Sequence, residues 1–405
     1  MISVEEALAR INASFEPLSA EQVALPDALG RTLAEDVRAR RSQPPVAVSA
    51  MDGYAVRSSD VVRLPATLKV VGHVPAGGAH EGIVGPGEAV RIFTGAPVPK
   101  GADTIVIQEN TKLKNGVVTV VDGLAPPGRY VRPAGLDFSE GETLLESGRV
   151  LTARDIGLAA GMNVPWLKVT RKPRVALLAT GDEVVMPGDP IGANQIVSSN
   201  GLALASFVRA QGGEPIDLGI ALDSEESLRA MSRGAKGADL LVTTGGASVG
   251  EHDLVQKVLG KEGLEVDFWK IAMRPGKPLI FGHLGPTPLL GLPGNSVSAM
   301  VCAVIYLGTA LRRMLGVAEK KRPTPTATLA VPLPENDERQ DYLRATLEYG
   351  EDGKLLARPF QTQDSSMFSR LAHADCLVVR PPHAPPAKAG SQVSIIPLGG
   401  GVVGI

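Results

Sequence analysis

Between residues 173 and 318, short apolar runs alternate with helical patterns, and this alternation narrows the possible folds more than any other feature of the chain. Strand patterns near 174–180, 215–220, 239–244, 278–282 and 288–292 are interleaved with helical patterns at 199–211, 224–236, 252–262 and 296–315. A strand that rejoins its sheet through a helix does so in parallel, so the segment predicts a parallel α/β sheet. Ligands of such sheets sit outside the carboxyl ends of the strands. Four loops carry residues suited to phosphate and metal. They are Thr180-Gly181-Asp182-Glu183, Gly245-Gly246-Ala247-Ser248-Val249-Gly250, Arg274-Pro275-Gly276-Lys277-Pro278 and Leu292-Pro293-Gly294-Asn295-Ser296. Three of them leave apolar runs and so belong at the carboxyl ends. Each alone is an ordinary turn, but four in one domain point to a site.

The remaining sequence has a different character. With 405 residues, the chain is expected to hold two to four domains. Ser3 followed by Glu6 is a capping-box signature for a helix over 3–15, with Val4, Leu8, Ile11 and Phe15 on one face. That face is expected to meet a second copy of the chain, since an elongated multi-domain chain offers little of itself nearby. A second short helix is expected from Asp27 to Val37. Residues 38–50 are rich in Pro and Arg, as in a linker or an active-site loop. From 53 to 135 the pattern is β, with strands expected at 68–71, 89–93, 104–107 and 117–121 between Gly-rich turns. Residues 136–172 return to a mixed pattern with a helix near 152–161. The division that follows is an elongated α/β dimerisation segment (1–45 and 136–172), an inserted β domain (46–135), an α/β domain (173–320) and a C-terminal β-barrel or sandwich (321–405).

Composition excludes some functions. Formal net charge is −2, without the basic excess of a dedicated nucleic-acid binder. Cys302 and Cys376 are too far apart in sequence for a metal motif and read as reduced core residues, consistent with a cytoplasmic protein. The N-terminus lacks the basic and apolar regions of a signal peptide. The longest apolar stretch, from Ala299 to Leu311, is too short to span a bilayer, so no membrane role is expected. The six histidines show no metal-ligand spacing.

Each candidate site residue has a bland reading beside a functional one. Gly245, Gly246, Ser248 and Gly250 make either a tight strand-to-helix turn or a cradle of N–H groups for phosphate. Asp182 and Glu183 either cap the next segment or hold Mg²⁺, which takes carboxylates together with water and substrate phosphate. Asp223 and Asp253 are helix caps or functional acids. Lys270, Arg274 and Lys277 are a solvated face or an anion-binding cluster. Asp52, within Met51-Asp52-Gly53-Tyr54-Ala55, and Thr94, within Phe93-Thr94-Gly95-Ala96-Pro97, lie in turns that also suit a site.

These six segments, the four loops together with Met51–Ala55 and Phe93–Pro99, occur in the order seen in the MoeA family of molybdopterin molybdenumtransferases, also found as the E domain of gephyrin. The chain resembles that family from residue 1 to 405. The resemblance implies four parts: an elongated segment, an inserted β domain, a molybdopterin-binding α/β domain and a C-terminal β-barrel. It also implies a homodimer that inserts molybdate into adenylylated molybdopterin, with Mg²⁺ as the divalent cation and AMP as a product. The adenylyltransferase and molybdoenzyme apoproteins are then candidate partners. By motif, Asp52, Thr94, Asp137, Glu183, Asp223 and Asp253 resemble the family's functional polar residues. Asp182, Glu183 and Asp223 are the expected metal ligands. Lys270 and Arg274 resemble its basic pair, with Arg in place of a usual Lys. Pro293, Asn295, Arg344 and Ser365 join the expected binding set. Ser296 stands where the family commonly has Pro; serine is a normal N-cap, so the helix start should survive. Two other readings are a molybdopterin adenylyltransferase, which shares the α/β domain, and a non-catalytic scaffold using the C-terminal barrel. The length and the Met51–Ala55 and Phe93–Pro99 motifs disfavour the first, and the intact acidic residues disfavour the second.

Overall fold

In a computed structural model of the chain, residues 1–75, 77–245, 254–319 and 323–399 are described. The central α/β unit holds a six-stranded sheet in the order Glu214–Ala221, Arg174–Thr180, Leu240–Thr244, Thr287–Leu292, Ile280–Leu284, Leu264–Trp269. The first four strands are parallel, as the alternating pattern requires. Ile280–Leu284 and Leu264–Trp269 add antiparallel pairings, so the sheet is mixed rather than wholly parallel. The reason is local: only Gly285 and Pro286 separate Ile280–Leu284 from Thr287–Leu292, which is room for a hairpin and not for a crossover helix.

The long helical pattern after the sheet becomes Ser296–Met314, with a π-helical turn over Ala303–Leu307. Its length and composition would let it cross a membrane, but 72% of its apolar window is buried within the protein. Val297, Cys302, Tyr306, Leu307 and Leu311 make it the core helix of the α/β unit.

The N-terminal helix forms at Val4–Ala13, and Ser3 accepts the Glu6 N–H at 3.0 Å. Val4, Ala7, Ile11 and Phe15 are buried in the same core as Val175, Phe281, Leu307 and Met314, with Leu8 packed alongside. The face expected to meet a second subunit therefore packs within its own chain. Each large apolar side chain covered there contributes about 1.5–3 kcal/mol, which a short exposed helix cannot forgo. The second expected helix does not form. Leu25–Asp27, with Pro26 at its second position, makes one 3₁₀ turn, after which Thr32 and Leu33 bridge to Val150 and Val169.

Three antiparallel ladders tie the outgoing chain to the returning one: Ala20–Ala24 with Trp166–Thr170, Val37–Arg38 with Thr143–Leu145, and Val48–Ser49 with Val131–Arg132. Between them lies a six-stranded sheet in the order Thr104–Ile107, Gly53–Val56, Glu88–Ile92, Ala66–Val74, Val117–Val120, Thr111–Lys114. Its alternating residues feed two apolar cores, one centred on Tyr54, Leu68 and Val118 and the other on Ala55, Val90 and Ile105. At the C-terminus, Thr326–Leu329, Gln340–Tyr349, Leu355–Pro359, Cys376–Arg380 and Gln392–Pro397 close into a barrel through the pairing of the second and fourth strands. Closure leaves no free sheet edge among these five strands. Met273–Arg274 joins the barrel in parallel at Gln340–Asp341.

Candidate functional site

The chain runs from Arg174–Thr180 to Glu214–Ala221 on one side, then to Leu240–Thr244 on the other. The connections therefore diverge beyond Thr180 and Thr244, and a crevice opens where they part. A cleft of about 400 Å³ occupies this place. Its walls include Thr180, Glu183, Asn200, Gly245, Pro278 and the Pro293–Ser296 turn. All four loops singled out in the sequence thus contribute, through Thr180 and Glu183, Gly245, Pro278 and Pro293–Ser296. The third loop reaches the cleft because Ile280–Leu284 runs antiparallel, so its beginning lies at the carboxyl edge of the parallel strands.

Two glycines shape this edge. Gly245 has φ +89°, and a Cβ there would sit 2.4 Å from the Thr180 carbonyl oxygen, so the two strand ends close only around glycine. Gly181 has φ +137°, and a Cβ would lie 2.6 Å from a Glu183 carboxylate oxygen. Glu183 therefore folds back over its own turn. Gly246, Ser248, Gly250 and Asp253, the rest of the expected phosphate loop and one expected acid, lie outside the described residues.

The acids beside the cleft form a repelling group. The Asp223 N–H donates to Asp182 Oδ1 at 2.9 Å. Burial pushes the Asp223 carboxyl above its ordinary value, and the negative charges of Asp182 and Glu183 add to this. The capping alternative for Asp223 is taken by its neighbour: Ser224 caps helix Glu225–Ser232 and accepts the Ser227 N–H at 3.2 Å. Among the described residues, no group of three or more His, Cys, Asp or Glu side chains forms a metal cage. Asp182, Glu183 and Asp223 are thus not a closed three-ligand site. A partial carboxylate set beside a cleft of about 400 Å³ still suits Mg²⁺, which keeps waters and draws further ligands from substrate phosphate.

The basic residues separate. Lys277 is exposed next to Pro278 at the cleft wall. Lys270 has φ +70° and lays its ammonium 3.7 Å from the Trp269 ring centroid. Arg274 does not stand free for an anion. It pairs with Asp341 and, at 3.2 Å, with Asp337 of the barrel. Burial holds the Asp341 carboxyl above its ordinary value even against this guanidinium. Arg344 is also placed differently from expectation. Only 1% exposed, it lies on the face of its strand opposite Leu343 and Ala345, away from the barrel core, and donates to the Asp364 carbonyl at 2.9 Å, fixing the segment that presents Ser365. Ser365 Oγ in turn accepts Asn295 Nδ2 at 3.0 Å, which ties the barrel to the cleft wall. Asn295, rather than Ser296, occupies the N-cap position of the core helix, and Ser296 Oγ lies 3.0 Å from Ser199 Oγ. The helix start survives as expected, by a different residue.

Asp52 and Thr94 come together in the inserted β unit. The Thr94 backbone N–H and hydroxyl both donate to Asp52 Oδ1, each at 2.8 Å. These bonds hold the Asp52 carboxyl below its ordinary value, and the Arg91 charge assists. Arg91 is itself stacked on Tyr54 and Phe93, at 5.1 and 4.9 Å from their ring centroids. Asp137 lines a separate groove of about 540 Å³ together with Arg41, Gly95 and Arg132. Neither Asp52, Thr94 nor Asp137 lines the cleft of the α/β unit. Sequence reasoning missed Asn200 and Thr244, whose side chains join at 2.9 Å in the cleft wall. The polar run Ser198-Ser199-Asn200 at a helix start was the available signal.

Comparison with known proteins covers nearly the whole chain. Residues 2–162 match the MoeA N-terminal region (domain I and II), 176–313 a probable molybdopterin binding domain, and 326–398 the MoeA C-terminal region (domain IV). A molybdopterin molybdenumtransferase of Haemophilus influenzae is 34% identical over 401 residues, covering 98% of this chain and 99% of its own length. That of Bacillus subtilis is 33% identical over 407 residues, covering 98% and 94%. The crystal structure of a molybdopterin biosynthesis MoeA protein from Pyrococcus horikoshii superposes with a TM-score of 0.86 at 33% identity, covering 99% of this chain and 100% of that one.

Proposed function

The chain belongs to the MoeA family of molybdopterin molybdenumtransferases, and on that premise we propose that it inserts molybdate into adenylylated molybdopterin, releasing AMP and giving molybdenum cofactor. It is a transferase of molybdenum cofactor biosynthesis. The observation that carries the substrate reading is the cleft of about 400 Å³ at the switch point of the sheet, with carboxylates at one side and Lys277 beside another wall. Substrate phosphates are assigned to the strand end at Gly245, since a glycine-rich strand-to-helix turn can offer backbone N–H groups to an anion. Molybdate and the pterin dithiolene are both anionic, so their approach needs positive charge and donors. Lys277, adjacent to Pro278 of the cleft wall, supplies a cation there, while Lys270 is held on the Trp269 ring. Mg²⁺, held by Asp182, Glu183 or Asp223 together with substrate phosphate, would polarise the phosphoanhydride. The adenylyltransferase and scaffold readings account less well for a chain that matches MoeA regions at both ends.

We also propose a cytoplasmic homodimer in which the β unit of one subunit faces the α/β unit of the other. What favours it is that Asp52 and Thr94 line no part of the cleft in their own chain. A second copy would bring them to it. The test is AMP release from adenylylated molybdopterin, measured with and without molybdate on material sized by light scattering. Molybdate-dependent release from a particle of about twice the 42.2 kDa chain mass is expected. Release indifferent to molybdate would remove the transfer reading, and an active monomer would remove the shared site.

A further inference from the structure

Two residues of the cleft wall, Thr180 and Asn200, each carry a buried side-chain oxygen that has no hydrogen-bond partner among the described residues. Asn200 opens helix Asn200–Ala210, and its Nδ2 donates to Thr244 Oγ1 at 2.9 Å and to the Gly294 carbonyl at 2.7 Å. A carbonyl can only accept, so the amide orientation is fixed and both Nδ2 protons are spent. Asn200 Oδ1 is buried and has no partner. Across the same cleft, Thr180 is 4% exposed, and its hydroxyl is also without a partner. A Cβ on Gly245 would lie 2.9 Å from Thr180 Oγ1, so glycine at that turn leaves the space beside the hydroxyl open. A buried, unpaired polar atom costs about 1–3 kcal/mol, and two of those among the described residues belong to residues lining this one cleft, where a ligand can satisfy them.

We infer that Thr180 and Asn200 form the ring-binding corner of the cleft. There an amide oxygen and a hydroxyl take the N–H-bearing edge of an uncharged heterocycle, the class to which a pterin ring belongs. The inference rests on the functional reading above and adds which end of the substrate goes where. An amide oxygen repels oxyanions, so phosphate and molybdate are directed to the Gly245 turn and the Lys277 side instead. Thr180 accepts or donates, as a neighbouring ring atom requires. The two residues position the substrate and take no part in bond making.

The test uses two probes that each carry one half of the substrate: 6-hydroxymethylpterin, without phosphate, and AMP, without pterin. Thr180→Val keeps the shape and removes a hydroxyl that bonds nothing among the described residues. A merely structural role predicts equal or higher Tm with unchanged pterin binding. The inference predicts equal or higher Tm with pterin binding weakened about fivefold, the usual worth of one hydrogen bond. Asn200→Ala should weaken pterin binding about tenfold or more, since it also unpins Thr244 and Gly294. AMP binding should stay within about twofold in Thr180→Val. Unchanged pterin affinity in Thr180→Val overturns the inference, as does an equal loss for pterin and AMP. A wild-type chain that binds no pterin overturns it as well. AMP release by that same preparation then tells whether the functional reading falls with it.

Discussion

Asp52 in the inserted β unit and Asp223 beside the cleft are both solvent-accessible aspartates, and their surroundings push them in opposite directions. Thr94 gives Asp52 two hydrogen bonds, so its charge is held in place before any ligand arrives. Asp223 spends its N–H on Asp182, while its own carboxylate faces burial and two like charges. The first loop is a preformed anion. The second is a set of charges that wants a cation. An acid already satisfied by its own fold is available for positioning or proton transfer, and an acid under repulsion is available for metal. The residue type is the same in both, and the donors around it set the use.

Asp52→Ala should break this contrast most severely. Removing the preformed anion is expected to lower molybdate-dependent AMP release by roughly a hundredfold or more, the lower range for a positioned acid–base group. Circular dichroism should remain that of the wild type, because the loop carboxylate packs against no core. Full turnover in the variant would take Asp52 out of the chemistry.

Asp223→Asn tests the other side. A folded-state carboxyl raised above its unfolded value stabilises the fold least when ionised, and the cost grows as pH rises through the folded value. Removing that charge at pH 7 should therefore raise Tm slightly, by about 1–2 °C, with solvent screening at this exposed position keeping the effect small. Mg²⁺ should raise the Tm of the wild type and do so less in the variant. Equal Mg²⁺ responses by thermal shift would remove Asp223 from the ligand set.

Thr94→Val sharpens the comparison with the smallest effect. The backbone N–H still donates, and only the hydroxyl bond at 2.8 Å is lost. The Asp52 carboxyl should then move up toward its ordinary value. The acid limb of kcat/KM against pH should shift to higher pH, since Asp52 now takes a proton earlier as pH falls. Its contribution to stability, present above the unfolded value and lost as pH falls through the folded one, should shrink in the same direction. An unmoved acid limb would mean that the Thr94 hydroxyl does not tune Asp52.

The loops of the site were legible in the chain because turn chemistry is local. Gly181 and Gly245 adopt positive φ, and both end strands whose apolar runs are unmistakable. The pairing of Asp52 with Thr94 was legible only as two separate motifs, since the two lie 42 positions apart. Arg274 was misplaced for the same kind of reason. Its partners Asp337 and Asp341 lie 63 and 67 residues away, and a sequence shows a charge without showing what neutralises it.

By itself, the sequence determined where most strands and helices form, Asp27–Val37 excepted, because apolar periodicity and capping are set by neighbours a few residues apart. It determined the parallel half of the sheet, the β character of 53–135 and the edge at which ligand loops emerge. Only the tertiary structure decided which faces meet. Periodicity marks Val4, Ile11 and Phe15 as a face that must be covered, and the fold covers it with the core of the same chain. It marks Ile280–Leu284 as a strand, and the hairpin turns that strand so Pro278 reaches the cleft. Burial of Arg344 and the unspent oxygens of Thr180 and Asn200 belong to the same class. Each depends on contacts between residues far apart in the chain, where packing and desolvation act and local propensity has no say.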